Sequence, residues 1–126
     1  MDTILITGSE GFFAGRFIEY YKDKYNIIGL SHRNLDITDE KETIQAITKY
    51  NPDYVVHSAA ISDTNLCEKY PERSFDINVM GSINVAKGCS SAKSRLIYLR
   101  THHLTSSSAE KIAYSYISSR HLETNI

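Results

Sequence analysis

The chain has 126 residues, of which 41% are hydrophobic and 23% are charged. This length suits one domain with a sizeable core, and the composition excludes collagen-like, fibrous and disordered chains. With 14 basic and 15 acidic side chains, the sequence shows no basic stripe typical of nucleic-acid or anionic-membrane binding.

The N-terminal segment and the cysteines predict a cytoplasmic protein. A strand-like run, TILIT, begins at Thr3 without a basic and apolar leader, and no apolar run approaches the roughly 20 residues of a membrane helix. Cys67 and Cys89 show no CxxC spacing and no histidine partners, so we interpret them as reduced packing residues and expect no metal site.

Apolar runs of strand length alternate with segments of helical period along the first hundred residues. This alternation predicts an α/β, Rossmann-like three-layer domain with a parallel sheet. We expect an incomplete sheet of about four strands, in spatial order 3-2-1-4, plus a C-terminal helix. Strands are predicted at residues 3–7, 26–30, 54–57 and 95–99, and helices at 11–24, 39–50 and 72–89.

Each predicted helix carries apolar residues at helical spacing. Asp39 is the expected N-cap of the second helix, with Glu42 as its capping-box partner, and Pro52 stops that helix after Asn51. The stripes are Phe13, Phe17 and Tyr21 beside Ala14 and Ile18 in the first helix, Thr43, Ile44, Ile47 and Tyr50 in the second, and Phe75, Val79, Ile83 and Ala86 in the third.

The segment 100–126 differs from the rest of the chain. Residues 106–108 can cap a helix, with Glu110 three residues after Ser107 and a modest apolar face formed by Ile112, Ala113, Tyr116 and Ile117. No fifth strand follows, so we predict a single domain over 1–126 that has no substrate domain and is truncated or diverted after residue 99. An uncovered sheet edge would favour a homodimer.

A glycine-rich turn joins the first strand to the first helix. Gly8 and Gly11 stand where a tight turn and a close approach of the backbone to a ligand are needed, and Ala14 is small enough for helix-to-strand packing. The helix N-terminus would then offer N–H groups to a pyrophosphate. The alternative is that these glycines serve turn geometry only.

Four stretches carry a family resemblance that covers about residues 1–99. They are ILITGSEG (4–11), LDITD (35–39), PDYVVHSAA (52–60) and FDINVMGSIN (75–84). In this order and spacing they resemble the extended short-chain dehydrogenase/reductases, which are NAD-dependent epimerase/dehydratase-like, and most closely the dTDP-4-dehydrorhamnose reductase group. The resemblance implies a nicotinamide cofactor and the reduction of a sugar-nucleotide carbonyl.

The resemblance also implies which residues bind the cofactor. Asp36 and Ile37 would flank the adenine, Ala59 and Ala60 would let the cofactor lie across the third strand, and Asn78 would lie near the nicotinamide. Asp36 as a solvated loop charge and the two alanines as core residues are the alternatives. The residues expected around the pyrophosphate are Thr7, Gly8, Glu10, Gly11, Phe12 and Phe13.

The end of the second strand bears on the choice between NADP and NAD. NAD sites usually carry an acidic residue there, whereas a basic group accommodates a 2′-phosphate. Ser31, His32 and Arg33 occupy this position, so NADP is favoured, with Arg33 as a merely solvated charge the alternative. His57 is interpreted as a packed or partner-satisfied histidine rather than a base.

The catalytic pattern of the resembled family is incomplete. It would need a Ser or Thr after the fourth strand, which Thr101 supplies, and a Tyr-x-x-x-Lys pair, whose nearest match is Tyr116 with Arg120. Neighbouring His102 and His103 are interpreted as a solvated loop rather than metal ligands.

The sequence as a whole supports two hypotheses about function. The first is a sugar-nucleotide reductase with little or no turnover by itself, and the second is a non-catalytic nucleotide-binding subunit that pairs with another chain.

Overall fold

The protein is described by a computed structural model that covers residues 1–59 and 69–99. No helix in these two ranges has the length and apolar character needed to cross a membrane. Several predicted features lie outside the described residues, namely Ala60, Cys67, Thr101, His102, His103, Tyr116 and the C-terminal helix.

Four parallel strands form the sheet: β1 (Thr3–Thr7), β2 (Asn26–Leu30), β3 (Tyr54–His57) and β4 (Arg95–Tyr98). Their spatial order is β2-β1-β3-β4. The predicted parallel α/β fold is therefore confirmed, and the strand positions agree with the sequence pattern to within one residue.

The predicted order 3-2-1-4 is wrong, because β3 pairs with β1 and not with β2. The first crossover places β2 on one side of β1, and the second returns the chain past β1 to its vacant side. Burial shows the reason: every residue of β3 is buried, as a central strand requires, whereas β2 begins with exposed Asn26 and contains exposed Gly29.

Helices cover both faces of the sheet. They are α1 (Phe12–Tyr21), α2 (Glu40–Tyr50), α3 (Pro71–Phe75) and α4 (Gly81–Ala92), with a π-helical turn (Asp76–Met80) joining the last two. The core has two clusters, which contain alternate residues of each strand. One packs Ile4, Ile6, Tyr54, Val56 and Ile97 with α1, and the other packs Leu5 and Val55 with Leu35, Ile37, Ile47, Val85 and Cys89.

The apolar faces of α1 and α2 follow the predicted stripes with one exception. Phe17 and Tyr21 are buried in the core cluster under α1, and Thr43 and Ile47 are the buried residues of α2. Tyr50 was expected on the buried face of α2 but is 38% exposed, because it lies in the last turn before the left-handed Asn51.

The third predicted helix exists, but its buried face is not the apolar stripe. Phe75, Val79 and Ile83 are exposed, and the buried residues of α4 are Gly81, Asn84, Val85, Gly88 and Cys89. A Cβ added at Gly81 would lie 2.6 Å from Ile37 Cδ1, and one at Gly88 would lie 2.6 Å from Ile47 Cδ1. The side chains of Ile37, in the loop before α2, and of Ile47, in α2, therefore occupy the space that a larger residue at either glycine would need.

Asp39 caps α2 as predicted, because its carboxylate accepts the Glu42 N–H at 2.9 Å. The Glu42 carboxylate does not complete the capping box, since it accepts instead from the Asp36 N–H at 3.4 Å.

Replacing Asp39 by Ala is expected to lower the free energy of unfolding by about 1 kcal/mol in urea titrations. The control Asp23→Ala changes an exposed turn carboxylate and should stay within about 0.5 kcal/mol of wild type; equal losses in both variants would contradict the capping role.

Candidate functional site

The glycine turn lies between the carboxyl end of β1 and the start of α1. The Gly11 N–H donates to the Gly8 carbonyl at 2.9 Å, and the Ser9 N–H donates to the Leu30 carbonyl at 3.2 Å, which ties the turn to β2. Gly11 is the N-cap of α1 and brings no side-chain hydrogen bond to the first turn. The N–H groups of that turn therefore remain available to an anion.

Gly8 adopts a conformation that other residues rarely accept, with a φ of +67°. A Cβ at this position would lie 3.0 Å from both the Cα and the backbone nitrogen of Ala59. The chain segments leaving β1 and β3 are thus in backbone contact. This contact brings the predicted residues Gly8 and Ala59 together at the point where the crossovers from β1 and β3 diverge, which is where open α/β sheets bind ligands.

A buried polar network lies directly beneath this contact. His57 is 1% exposed; its Nδ1 is 2.7 Å from Thr7 Oγ1, and its Nε2 is 3.1 Å from Ser82 Oγ. The Ser82 hydroxyl donates to the Asn78 carbonyl at 2.7 Å, so Ser82 Oγ accepts from His57 Nε2–H. A neutral imidazole has one N–H, and its Nδ1 therefore accepts from the Thr7 hydroxyl.

The same network holds the end of β3. Thr7 Oγ1 also accepts the Ser58 N–H at 3.1 Å and the Ala59 N–H at 3.2 Å. Burial lowers the pKa of His57 to about 4, so the ring is neutral near pH 7. The prediction of a partner-satisfied histidine is confirmed.

A cavity of about 220 Å³ opens above the ends of β1 and β2. It brings together several of the predicted cofactor residues with others from the loop after β2 and from the helix that follows β3 in the described chain. Its lining is Thr7, Gly8, Leu30, Ser31, His32, Leu35, Asp36, Ile37, Thr38, Ala59, Arg73 and Ile77. Typical small-molecule sites are larger, roughly 300–1,000 Å³, so this cavity is the size of one part of such a site.

Other predicted cofactor residues lie around the cavity rather than in its lining. Glu10 and Phe12 are exposed beside the glycine turn, Phe13 packs against the core under α1, and Arg33 is exposed on the loop after β2. Asn78 lies half-buried in the π-helical turn, where its carbonyl accepts from Ser82.

Asp36 is held in a fixed orientation at the cavity. Its Oδ1 accepts the Thr38 hydroxyl at 2.6 Å and the Thr38 N–H at 3.0 Å. The hydroxyl bond lowers the pKa of Asp36 most, and the Arg73 charge adds a smaller lowering, against the opposing effect of partial burial. The carboxylate is therefore ionised at neutral pH and presents an acceptor to a hydrogen-bond donor in the cavity.

The sequence pattern did not indicate every lining residue: Arg73 is the charged one that it missed, beside Leu30, Leu35, Thr38 and Ile77. Arg73 lies in α3, between the predicted residues at the end of β3 and the predicted Asn78. The only sequence signal was a basic residue two positions after Pro71, at the start of a helix that the pattern had already placed after β3.

The described part of the site fits a dinucleotide. Glycine at position 8 leaves the space that a Cβ would fill, the N-terminus of α1 can receive a pyrophosphate, and Asp36 and Ile37 line a cavity suited to an adenosine. When bound, a nicotinamide dinucleotide supplies hydride chemistry.

Comparison with known proteins agrees with this geometry. The sequence model described as the NAD dependent epimerase/dehydratase family matches residues 4–125, and so runs past residue 99. The dTDP-4-dehydrorhamnose reductase of Mycolicibacterium smegmatis is 29% identical over 102 residues, which are 80% of this chain and 31% of that protein. Methionine adenosyltransferase 2 subunit beta of Xenopus laevis is 27% identical over 109 residues, 79% of this chain and 32% of that protein.

A solved structure shows the same fold. The dTDP-4-dehydrorhamnose reductase of Bacillus anthracis, crystallised in complex with NADP, aligns with a TM-score of 0.74 and 26% identity over 78% of this chain and 36% of that one. The chain spans about a third of the length of the curated relatives it matches.

Proposed function

This chain belongs to the NAD-dependent epimerase/dehydratase family, and we propose that it binds a nicotinamide dinucleotide across the carboxyl ends of β1, β2 and β3. The observation that carries the proposal is the backbone contact between Gly8 and Ala59, above which the cavity opens. The pyrophosphate lies on the turn from Thr7 to Phe13, and the adenine lies beside Asp36 and Ile37. Ala59 lies under the cofactor, a role that the family resemblance also implies for Ala60, and Asn78 lies on its nicotinamide side.

We propose NADP as the preferred dinucleotide. The three residues directly after β2 are Ser31, His32 and Arg33, and none of them is the acidic residue that NAD sites usually carry at this position. The relative from Bacillus anthracis was crystallised with NADP, which supports the same choice.

The reaction we propose is the reduction of a carbonyl in a sugar nucleotide, as the names of the reductase relatives suggest. Within this chain, Thr101 supplies a hydroxyl where the family places one after the fourth strand. Tyr116 is the nearest match to the proton-donating tyrosine, but Arg120 stands where lysine is expected. Arginine has a different reach and donor geometry, so we expect low turnover.

A second candidate is a non-catalytic nucleotide-binding subunit that pairs with another chain. The similarity to a protein named as the beta subunit of methionine adenosyltransferase 2 favours it.

Self-association is also proposed, because β2 and β4 are the outer strands of the sheet within residues 1–59 and 69–99. Gel filtration would show a dimer; a stable monomer at high concentration would contradict this part of the proposal.

Fluorescence titration with NADPH and with NADH tests the binding proposal. We expect saturable binding of both, tighter for NADPH. Addition of dTDP-4-dehydrorhamnose then tests the reductase proposal through the loss of nicotinamide absorbance. Binding without turnover would favour the subunit, and the absence of binding for both dinucleotides would overturn both candidates.

A further inference from the structure

Two basic side chains enter the cavity from different elements. His32 belongs to the loop after β2, and Arg73 belongs to α3. Both residues are exposed, and neither side chain makes a hydrogen bond or ion pair with any residue in 1–59 or 69–99. Within these two ranges, the only interaction found for the Arg73 charge is its electrostatic effect on Asp36, and Arg73 lines the cavity where an anionic ligand would lie.

The negative charge of Asp36 in the same cavity affects how an anionic ligand could bind there. Its Oδ1 is held by Thr38, and its carboxylate is ionised in the same cavity. A phosphate monoester carries about −1.5 to −2 charges near pH 7, so Asp36 alone would repel it. Arg73 acts on Asp36 electrostatically without lying within ion-pair distance, and its guanidinium can offset the carboxylate and still bind the phosphate in a bidentate manner.

Arg33 is placed less favourably than the sequence suggests. Asn34 Oδ1 accepts the Ser31 N–H at 3.1 Å and the Ser31 hydroxyl at 2.9 Å, and the Asn34 N–H donates to the Ser31 carbonyl at 3.0 Å. This clamp closes a tight turn after β2. Ser31 and His32 line the cavity in this conformation, whereas Arg33 is exposed and is absent from the lining.

We propose that Arg73, and not Arg33, binds the 2′-phosphate of NADP and sets the preference for NADP over NAD. This inference rests on the proposed dinucleotide binding and adds a residue from α3 to the end of the site formed by the loop after β2. His32 lines the same cavity of about 220 Å³ as Arg73, from the side of the loop after β2.

Binding titrations of two matched variants, Arg73→Gln and Arg33→Gln, test the inference. Each variant removes one exposed positive charge. For Arg73→Gln we expect the Kd for NADPH to rise about tenfold or more, because a charge-assisted hydrogen-bond pair is lost. The Kd for NADH should change less than about twofold, and Arg33→Gln should leave both values within about twofold of wild type. Arg73→Lys should show an intermediate NADPH affinity, and thermal melts should show that all three variants fold.

Each other result contradicts the inference in a distinct way. Equal weakening of NADPH and NADH in Arg73→Gln would mean that Arg73 contacts a part that both dinucleotides share. Selective loss of NADPH in Arg33→Gln, or no change in Arg73→Gln, would return the phosphate to the loop after β2. Wild-type protein that binds NADH as tightly as NADPH would overturn the inference and leave dinucleotide binding intact, whereas wild type that binds neither would overturn the proposed function itself.

Discussion

Gly8→Ala is expected to abolish measurable dinucleotide binding and to lower the free energy of unfolding by about 1–3 kcal/mol. The backbone at Gly8 has a φ of +67°, and the added Cβ would lie 3.0 Å from backbone atoms of Ala59. Backbone atoms cannot rotate away as a side chain can, so either the turn or the end of β3 must move. Both surround the cavity, and the loss of stability therefore comes with a loss of ligand geometry.

Gly15→Ala is the matched control for Gly8→Ala. Gly15 lies in α1, and a Cβ there would meet no atom within 4 Å. This variant should keep wild-type affinity for NADPH and gain roughly 0.5–1 kcal/mol of stability from helix propensity. Urea titration and NADPH fluorescence of both variants give the result, and wild-type affinity in Gly8→Ala would show that the turn does not need the left-handed conformation for binding.

Acid is expected to destabilise the protein through His57 by about 3 kcal/mol between pH 6.5 and pH 4. Burial lowers the pKa of His57 from 6.5 to about 4, so the unfolded chain binds a proton in this window and the folded protein does not. The stability that the neutral His57 contributes is fully present above pH 6.5. It declines as the pH falls and is lost near pH 4. The lowered pKa of Asp36 acts in a separate window, because it removes stability only as the pH falls below 3.8.

Urea titrations across this pH range, with the variants His57→Gln and His32→Gln, isolate the effect. The first variant should be less stable at pH 7, since Thr7 and Ser82 lose the ring that joins them, but its stability should change much less between pH 6.5 and 4. The second replaces an exposed histidine and should keep the wild-type slope. If His57→Gln kept that slope, another group would be responsible for it.

The strands were predictable because each buried strand corresponds to a short apolar run in the sequence. Tyr54 to His57 is buried throughout, and β1 places Ile4 and Ile6 on one face and Leu5 on the other. The strand order was not predictable from these runs alone. It depends on whether the second crossover continues beyond β2 or returns to the vacant side of β1. The polar Asn26 and the Gly29 of β2, beside the apolar β3, are the signal that could have indicated the return.

The face of α4 was missed because apolar spacing identifies a helix without identifying its partner. Phe75, Val79 and Ile83 form the better apolar stripe, yet the side chains of Ile37 and Ile47 pack against Gly81 and Gly88 on the opposite, buried face. A glycine that makes room for a neighbouring side chain marks a packed face, and hydrophobicity does not detect it.

Much of the cavity follows from the sequence, because the carboxyl ends of parallel strands meet at one edge. The loops after β1, β2 and β3 therefore had to bring Gly8, His32, Asp36 and Ala59 together. Arg73 could not be found in this way. It enters from the side, on a short helix whose direction depends on packing further along the chain.

That direction depends on the π-helical turn. The Gly81 N–H donates to the Asp76 carbonyl, five residues earlier, so this turn holds one more residue than an α-helical turn would. Each residue of an α-helix advances the direction of its side chains by about 100°. Deleting one residue from 76–80 would therefore rotate α3 relative to α4 by roughly that angle. Arg73 lies in α3 and lines the cavity, so its direction relative to Asp36 would change, and the number of residues in this turn is itself a determinant of what the cavity can bind.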